Sequence, residues 1–116
     1  MGMENEQTLY RYEICVGFND GDTKEQRFSE ETYERIITNI CRGYQISYSI
    51  GKLTGGYVHD DGTFVKENSA QIILIGATEE QVEEIAKDLC VFFNQESVLV
   101  IKSAATAKLV YESLEK

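Results

Sequence analysis

Residues 53–69 read LTGGYVHDDGTFVKENS and divide at Asp60-Asp61-Gly62 into the two arms of a hairpin. Aspartate and glycine tolerate the positive φ that a tight reversal needs. Gly55 and Gly56 lack Cβ atoms, so the backbone there can kink or lie close to a ligand, and the phenol of Tyr57 follows at once. The returning arm carries Glu67-Asn68-Ser69 just before the apolar residues 70–75. Paired arms place Tyr57 and Glu67 at the same end of the stem, a phenol and a carboxylate beside two glycines. The same residues are also ordinary on the surface of a hairpin.

Working outward, the hairpin sits between two helical patterns, each entered from a strand. Tyr10, Tyr12, Ile14, Val16 and Phe18 alternate with Arg11, Glu13, Cys15 and Gly17. Period two over that length predicts a strand with one buried face. Asn19-Asp20-Gly21-Asp22 ends it, and a loop runs to Phe28. Ser29 offers an N-cap with Glu30 and Glu31 in the first turn, where carboxylates suit the helix dipole. Tyr33, Ile36, Ile37, Ile40 and Cys41 keep helical spacing, and Gly43 marks the end. Tyr44, Ile46, Tyr48 and Ile50 alternate again, predicting a second strand that enters the hairpin.

The third strand is expected over residues 63–75, and its run Ile72-Ile73-Leu74-Ile75 predicts a central strand covered on more than one side. Thr78-Glu79-Glu80-Gln81 has the form of a capping box. Behind it Val82, Ile85, Ala86, Leu89, Cys90 and Phe93 make an apolar helical stripe that Asn94 and Gln95 close. Residues 98–101 read as a fourth strand and 107–111 as a short fifth. The order is the split βαβ, an α+β ferredoxin-like sandwich whose right-handed crossovers put both helices on one face of an antiparallel sheet. The other face keeps apolar side chains, and a second copy of the chain is the simplest cover, so a homo-oligomer is expected.

The chain has 116 residues and 42% hydrophobic content, enough for one domain without metal or disulfide staples. Residues 1–8 are expected as a disordered or tag-like lead and 9–116 as the domain. No run approaches the roughly 20 apolar residues of a membrane span, and MGMENEQ lacks the apolar stretch of a signal peptide, so a cytoplasmic protein is expected. Cys15, Cys41 and Cys90 have no CxxC spacing and read as small buried residues. A net charge of −9 argues against neutralising nucleic-acid phosphates, while permitting cationic ligands or charge mimicry. His59 has no second ligand at metal spacing. Asp20, Asp22, Asp60 and Asp61 miss the calcium-loop pattern and read as turn formers. Glu79, Glu80, Glu83 and Glu84 read as a solvated helix face. No cofactor or metal is called for.

The segments Leu53-Thr54-Gly55-Gly56-Tyr57, then Glu67, then Gln95-Glu96-Ser97-Val98-Leu99-Val100-Ile101-Lys102-Ser103 with Leu109-Val110-Tyr111, stand in an order and spacing that resembles the phage-type S-adenosylmethionine lyases. These were once described as hydrolases and include enzymes acting on the SAM-AMP signal, in which S-adenosylmethionine is joined to AMP. The resemblance covers residues 53–111 by motif and the first half by its order of elements. It implies a trimer of PII-like subunits, with a small adenosyl sulfonium substrate in the cleft between neighbours. It also implies cleavage without water: the substrate's own carboxylate attacks Cγ, giving methylthioadenosine and homoserine lactone.

By position, the resemblance puts Glu67, Tyr57 and Glu96 at the sulfonium and amino-acid end as catalytic residues. Gly55, Gly56, Gln95, Lys102 and Ser103 become the substrate-binding set. Each has a plainer reading: a solvated strand-edge charge for Glu67, a packed hairpin tyrosine for Tyr57, loop polarity for Gln95 and Glu96, a strand terminus for Lys102 and Ser103. A phosphate on the ligand would make Lys102 the nearest cationic candidate, with Arg11, Lys52 and Lys66 behind it. The chemistry suits a chain with one histidine, because an intramolecular displacement needs orientation and not a general base. Two other readings compete: a non-catalytic PII-like trimer binding an adenine nucleotide, and an acidic decoy for a nucleic-acid enzyme.

Overall fold

The computed structural model describes residues 7–112. Six elements follow in the order β1 (Gln7–Gly17), α1 (Glu30–Gly43), β2 (Ser49–Val58), β3 (Phe64–Ile75), α2 (Glu79–Phe92) and β4 (Leu99–Ala107). The strands form one sheet in the order β2-β3-β1-β4, with every neighbouring pair antiparallel. This is the ferredoxin-like β-α-β-β-α-β sandwich. Of the lead expected at 1–8, residues 1–6 lie outside the described residues, and Gln7 and Thr8 already belong to β1.

Both helices lie on one face because alternate strand residues bury there. Tyr12, Ile14 and Val16 of β1 join Ala70, Ile72 and Leu74 of β3, and this layer meets Tyr33, Ile37 and Cys41 of α1 with Val82, Ile85 and Leu89 of α2. Removing side chains such as Ile14, Ile72 and Leu74 from water contributes about 1.5–3 kcal/mol each. The caps form as their sequences require. The Ser29 hydroxyl accepts from Thr32 N, and in α2 the Thr78 and Gln81 side chains exchange bonds with each other's backbone N–H.

Two boundaries differ from the sequence reading. The alternating residues 44–48 form no ladder: the phenol of Tyr44 donates to Asp88 at 2.9 Å and that of Tyr48 to Thr38 at 3.2 Å, so the alternation reports packing on the helices. α1 ends at Gly43 as expected, and the left-handed residue that turns the chain is Gln45, with φ 56°. The fourth strand runs to Ala107, and residues 108–112 carry no regular structure, so no fifth strand forms among the described residues. The third strand, expected to be covered on more than one side, is covered within one subunit on one side only: Ile72 and Leu74 are buried, whereas Ile75 is 48% exposed.

Candidate active site

The helix-free face is read from the register. Gly55 stands opposite Glu67 and Leu53 opposite Ser69 in the β2–β3 ladder, while Gly17 pairs with Ser69 and Cys15 with both Gln71 and Leu99. Paired residues share a face, so Glu67, Gly55, Leu53, Gly17, Cys15 and Leu99 all lie opposite the helices. Tyr57, opposite Val65, is the diagonal neighbour of Glu67 on that face. Its ring meets His59 edge-on at 5.1 Å.

Glu67 is held at the end of β1. Its Oε2 accepts the backbone N–H of Asn19 at 3.0 Å, and the Asn19 amide reaches the Lys66 carbonyl at 3.4 Å. The carboxylate lies over Gly17: a Cβ built there would stand 2.6 Å from Oε1. Glycine at 17 therefore makes the space Glu67 occupies. Gln95, leaving α2, turns its amide back onto the same corner, donating to the Gly17 carbonyl at 3.1 Å and to the Asn19 carbonyl. Glu96 follows it, exposed, in the loop to β4.

The hairpin closes through Asp60-Asp61-Gly62 as expected, with Gly62 at φ 87° and Thr63 N–H on Asp61. No kink forms at Gly55 or Gly56, since the ladder runs through both. A Cβ at Gly55 would meet nothing, which leaves the space beside Glu67 open. Gly56 faces the other way, with the Phe64 ring packed where its Cβ would be.

Glu67, Gln95 and Gly55 thus converge, Tyr57 is diagonal to them, and Glu96 adjoins on its loop. Lys102 and Ser103 do not join them. Lys102 is on the helix face, paired with Glu79 at 2.9 Å and over the Tyr10 ring at 4.2 Å; the Glu79 carboxylate pushes its pKa up. Beside it a cavity of about 360 Å³ opens between α2 and β4, lined by Tyr12, Val82, Ala86 and Val100 among others. Ser103 shares Glu67's face but stands opposite Arg11, six positions from Gly17 and so about 20 Å along the strand. Lys52 is on the helix face against Glu34, Lys66 points to that face opposite Gly56, and Arg11 pairs with Glu13 at 3.0 Å.

Gly17, Asn19, Asp20 and Asn94 were not singled out as site residues from the sequence. Glycine inside an alternating strand is a signal of close approach, and Gly17 carries it. Asp20 is a turn former, but it is also 4% exposed. Its Oδ1 accepts the N–H of Asp22 at 2.8 Å and of Thr23 at 3.0 Å, and the Asn94 amide donates to both its oxygens. The Thr23 N–H, the Asn94 amide and the Asp22 N–H hold its carboxyl down to about 2. Near Glu67 the Cys15 thiol is pushed up by burial and then by Glu13, which keeps it protonated at neutral pH and unsuited to nucleophilic attack. The corner offers a fixed carboxylate, an anchored amide and exposed apolar neighbours, a set suited to an organic cation.

The fold and part of the sequence are shared with a phage SAM lyase solved in complex with S-methyl-5′-thioadenosine: 28% identity over 90% of this chain and 93% of that one, with a TM-score of 0.64. A nitrogen regulatory PII-like protein from Thiomonas intermedia, bound to ADP, AMP and bicarbonate, shares the fold at 18% identity, over 91% of this chain and 99% of that one, with a TM-score of 0.55. CutA from Synechococcus elongatus does so at 14% identity, over 93% and 89% of the two chains, with a TM-score of 0.57. No protein-family model and no curated protein matches the chain.

Proposed function

We propose that this protein is a carbon–sulfur lyase that opens S-adenosylmethionine at the corner where Glu67 lies over Gly17. The observation that carries the proposal is the Glu67 carboxylate, fixed by the Asn19 N–H on the helix-free face of a fold shared with a phage SAM lyase. A carboxylate oxygen of the substrate bonds to its own Cγ, the Cγ–S bond breaks, and the electron pair stays on sulfur. Homoserine lactone and neutral methylthioadenosine result, and the step needs no proton transfer.

The step destroys a negative and a positive charge together, so the site should not stabilise that pair too well before it reacts. The substrate's ammonium, by contrast, keeps its charge throughout. Glu67 therefore serves best at the ammonium end, with Glu96 from its loop and Tyr57 beside the sulfonium. Folding the methionine chain so that carboxylate and Cγ meet supplies on the order of 7–11 kcal/mol. Exposed apolar residues of the same face, including Leu53, Ile75 and Leu99, are covered by further copies in a homotrimer that completes the cleft. Within the subunit Lys52, Lys66 and Lys102 are on the opposite face of the sheet from Glu67 and Arg11 stands six positions from Gly17 along β1, which favours free S-adenosylmethionine. Its AMP conjugate would draw a phosphate-binding cation from a neighbour. Either activity would act against host defence, by removing a methyl donor or a nucleotide signal.

The test is incubation of the pure protein with S-adenosylmethionine and, separately, with its AMP conjugate, followed by mass-spectrometric identification of products. Methylthioadenosine or its AMP form, together with homoserine lactone, is expected. Glu67→Gln, which keeps an acceptor for Asn19 but loses the charge, should lower kcat/KM at least a hundredfold. Both compounds recovered intact from a folded oligomer would sink the lyase reading, and intact ligand co-eluting with the protein would make it a nucleotide-binding protein.

A further inference from the structure

A chain of polar contacts runs from the buried Asp20 to Glu67. Asn94 donates its amide to both Asp20 oxygens, at 3.2 and 3.1 Å, and to Asp22 Oδ2 at 2.9 Å. Arg27 closes the Asp20 carboxylate from the other side at 3.5 Å. The Gly21 N–H donates to the Asn94 carbonyl at 2.8 Å, and only glycine fits there, since a Cβ at 21 would stand 2.6 Å from that carbonyl oxygen. Asn94 itself is left-handed, with φ 50°, which turns the chain so that Gln95 points back to the end of β1. Gln95 then binds the Gly17 and Asn19 carbonyls, and Asn19 gives its N–H to Glu67.

We infer that Asp20 and Asn94 are positioning residues that fasten the loop carrying Gln95 and Glu96 to the end of β1, and so set Glu67 and Glu96 at a fixed separation. The inference rests on the lyase reading for its catalytic consequence and on the contacts alone for its structural one. Asp20 caps its own loop through the Asp22 and Thr23 N–H groups. The same carboxylate also reaches across to the far end of α2, 74 residues on, to the residue before the loop that joins the site. Oδ1 is capped within the loop, whereas Oδ2 takes its shorter bond from Asn94, at 3.1 Å against 3.5 Å from Arg27, and a hydrogen bond to a charged oxygen is among the stronger ones. Small displacements at such a site are expensive in rate, because reacting atoms must meet within a narrow range.

The experiment uses full-length Asn94→Gly and Asp20→Asn. Glycine accepts the left-handed backbone at 94, so the first variant removes the amide without straining the chain. Asp20→Asn keeps the acceptor for the Asp22 and Thr23 N–H groups but sets two amide donors facing each other. Amide hydrogen exchange is followed at Asn19, with Ile14 and Ile72 as core reporters, alongside kcat and KM on S-adenosylmethionine. Expected are at least tenfold faster exchange at Asn19 with the core reporters unchanged, and a tenfold or larger loss in kcat with KM altered less than threefold. Wild-type protection at Asn19 in both variants overturns the inference. So does faster exchange at Asn19 with wild-type kcat and KM. If the wild type cleaves nothing, the lyase reading fails by itself, and faster Asn19 exchange in the variants still upholds the fastening of Glu67 through Asn94.

Discussion

At Gly17 one hydrogen in place of a methyl group decides whether Glu67 can lie where it does. The atoms that a Cβ would strike belong to the far end of a flexible side chain and not to backbone. Gly17→Ala should therefore leave the fold nearly untouched, within about 1 kcal/mol, since alanine is also the better strand residue. It should instead push the carboxylate off the Asn19 N–H and lower kcat/KM at least tenfold. Thermal melting and product formation, measured together, check this; an active alanine variant would mean that Glu67 works from another position. The hairpin and the family resemblance named Glu67, Tyr57, Gly55 and Gln95 together with Glu96, Gly56, Lys102 and Ser103, and the structure gathers only part of that set at one corner. Asn94 was not legible in the sequence, because its partner Asp20 lies in another element and no local pattern connects them.

At the scale of elements, the β1–α1 loop is fastened to the end of α2 by a carboxylate whose folded pKa is about 2 against an ordinary 3.8. A depressed carboxylate stabilises the fold above its unfolded pKa and loses that contribution as pH falls through the folded value. Melting temperature should hold down to about pH 4 and fall between pH 4 and 2, and Asp20→Asn should flatten that part of the curve. Circular dichroism melts over this range check it. Elements with clean periodicity were readable: β1 by alternation, α1 and α2 by stripe and cap. β4 was read short because Ser103, Ala104, Ala105, Thr106 and Ala107 are mostly small and say little about strand structure on their own. They are strand because Gln7 to Arg11 stand opposite. Residues 44–48 erred the other way, their alternation set by phenols reaching the helices.

For the whole molecule, one face of the sheet is closed by helices and the other is open, with Leu53, Ile75, Leu99 and Ile101 exposed on it. Ile75→Glu tests whether copies of the chain cover that face. Arg11 stands opposite Ile75, so a single subunit accommodates the carboxylate at little cost, whereas an assembly must bury it. Light scattering should give the mass of a trimer for the wild type and of a monomer for the variant, with the helical signal kept.

The Asn19–Glu67 contact closes over 48 residues of chain, and the Asp20–Asn94 contact over 74. Neither can form within a hairpin or a single β-α unit, so the corner is assembled only when elements far apart in the chain have come together. During refolding the far-uv signal of the helices should return ahead of activity, since closing long loops is the slow step. With no proline in the sequence, no isomerisation of a prolyl bond stands between the two. On the lyase reading, recovered activity would time the last long-range closure and any assembly, and a delay that shortens as protein concentration rises would mark assembly as the slower step.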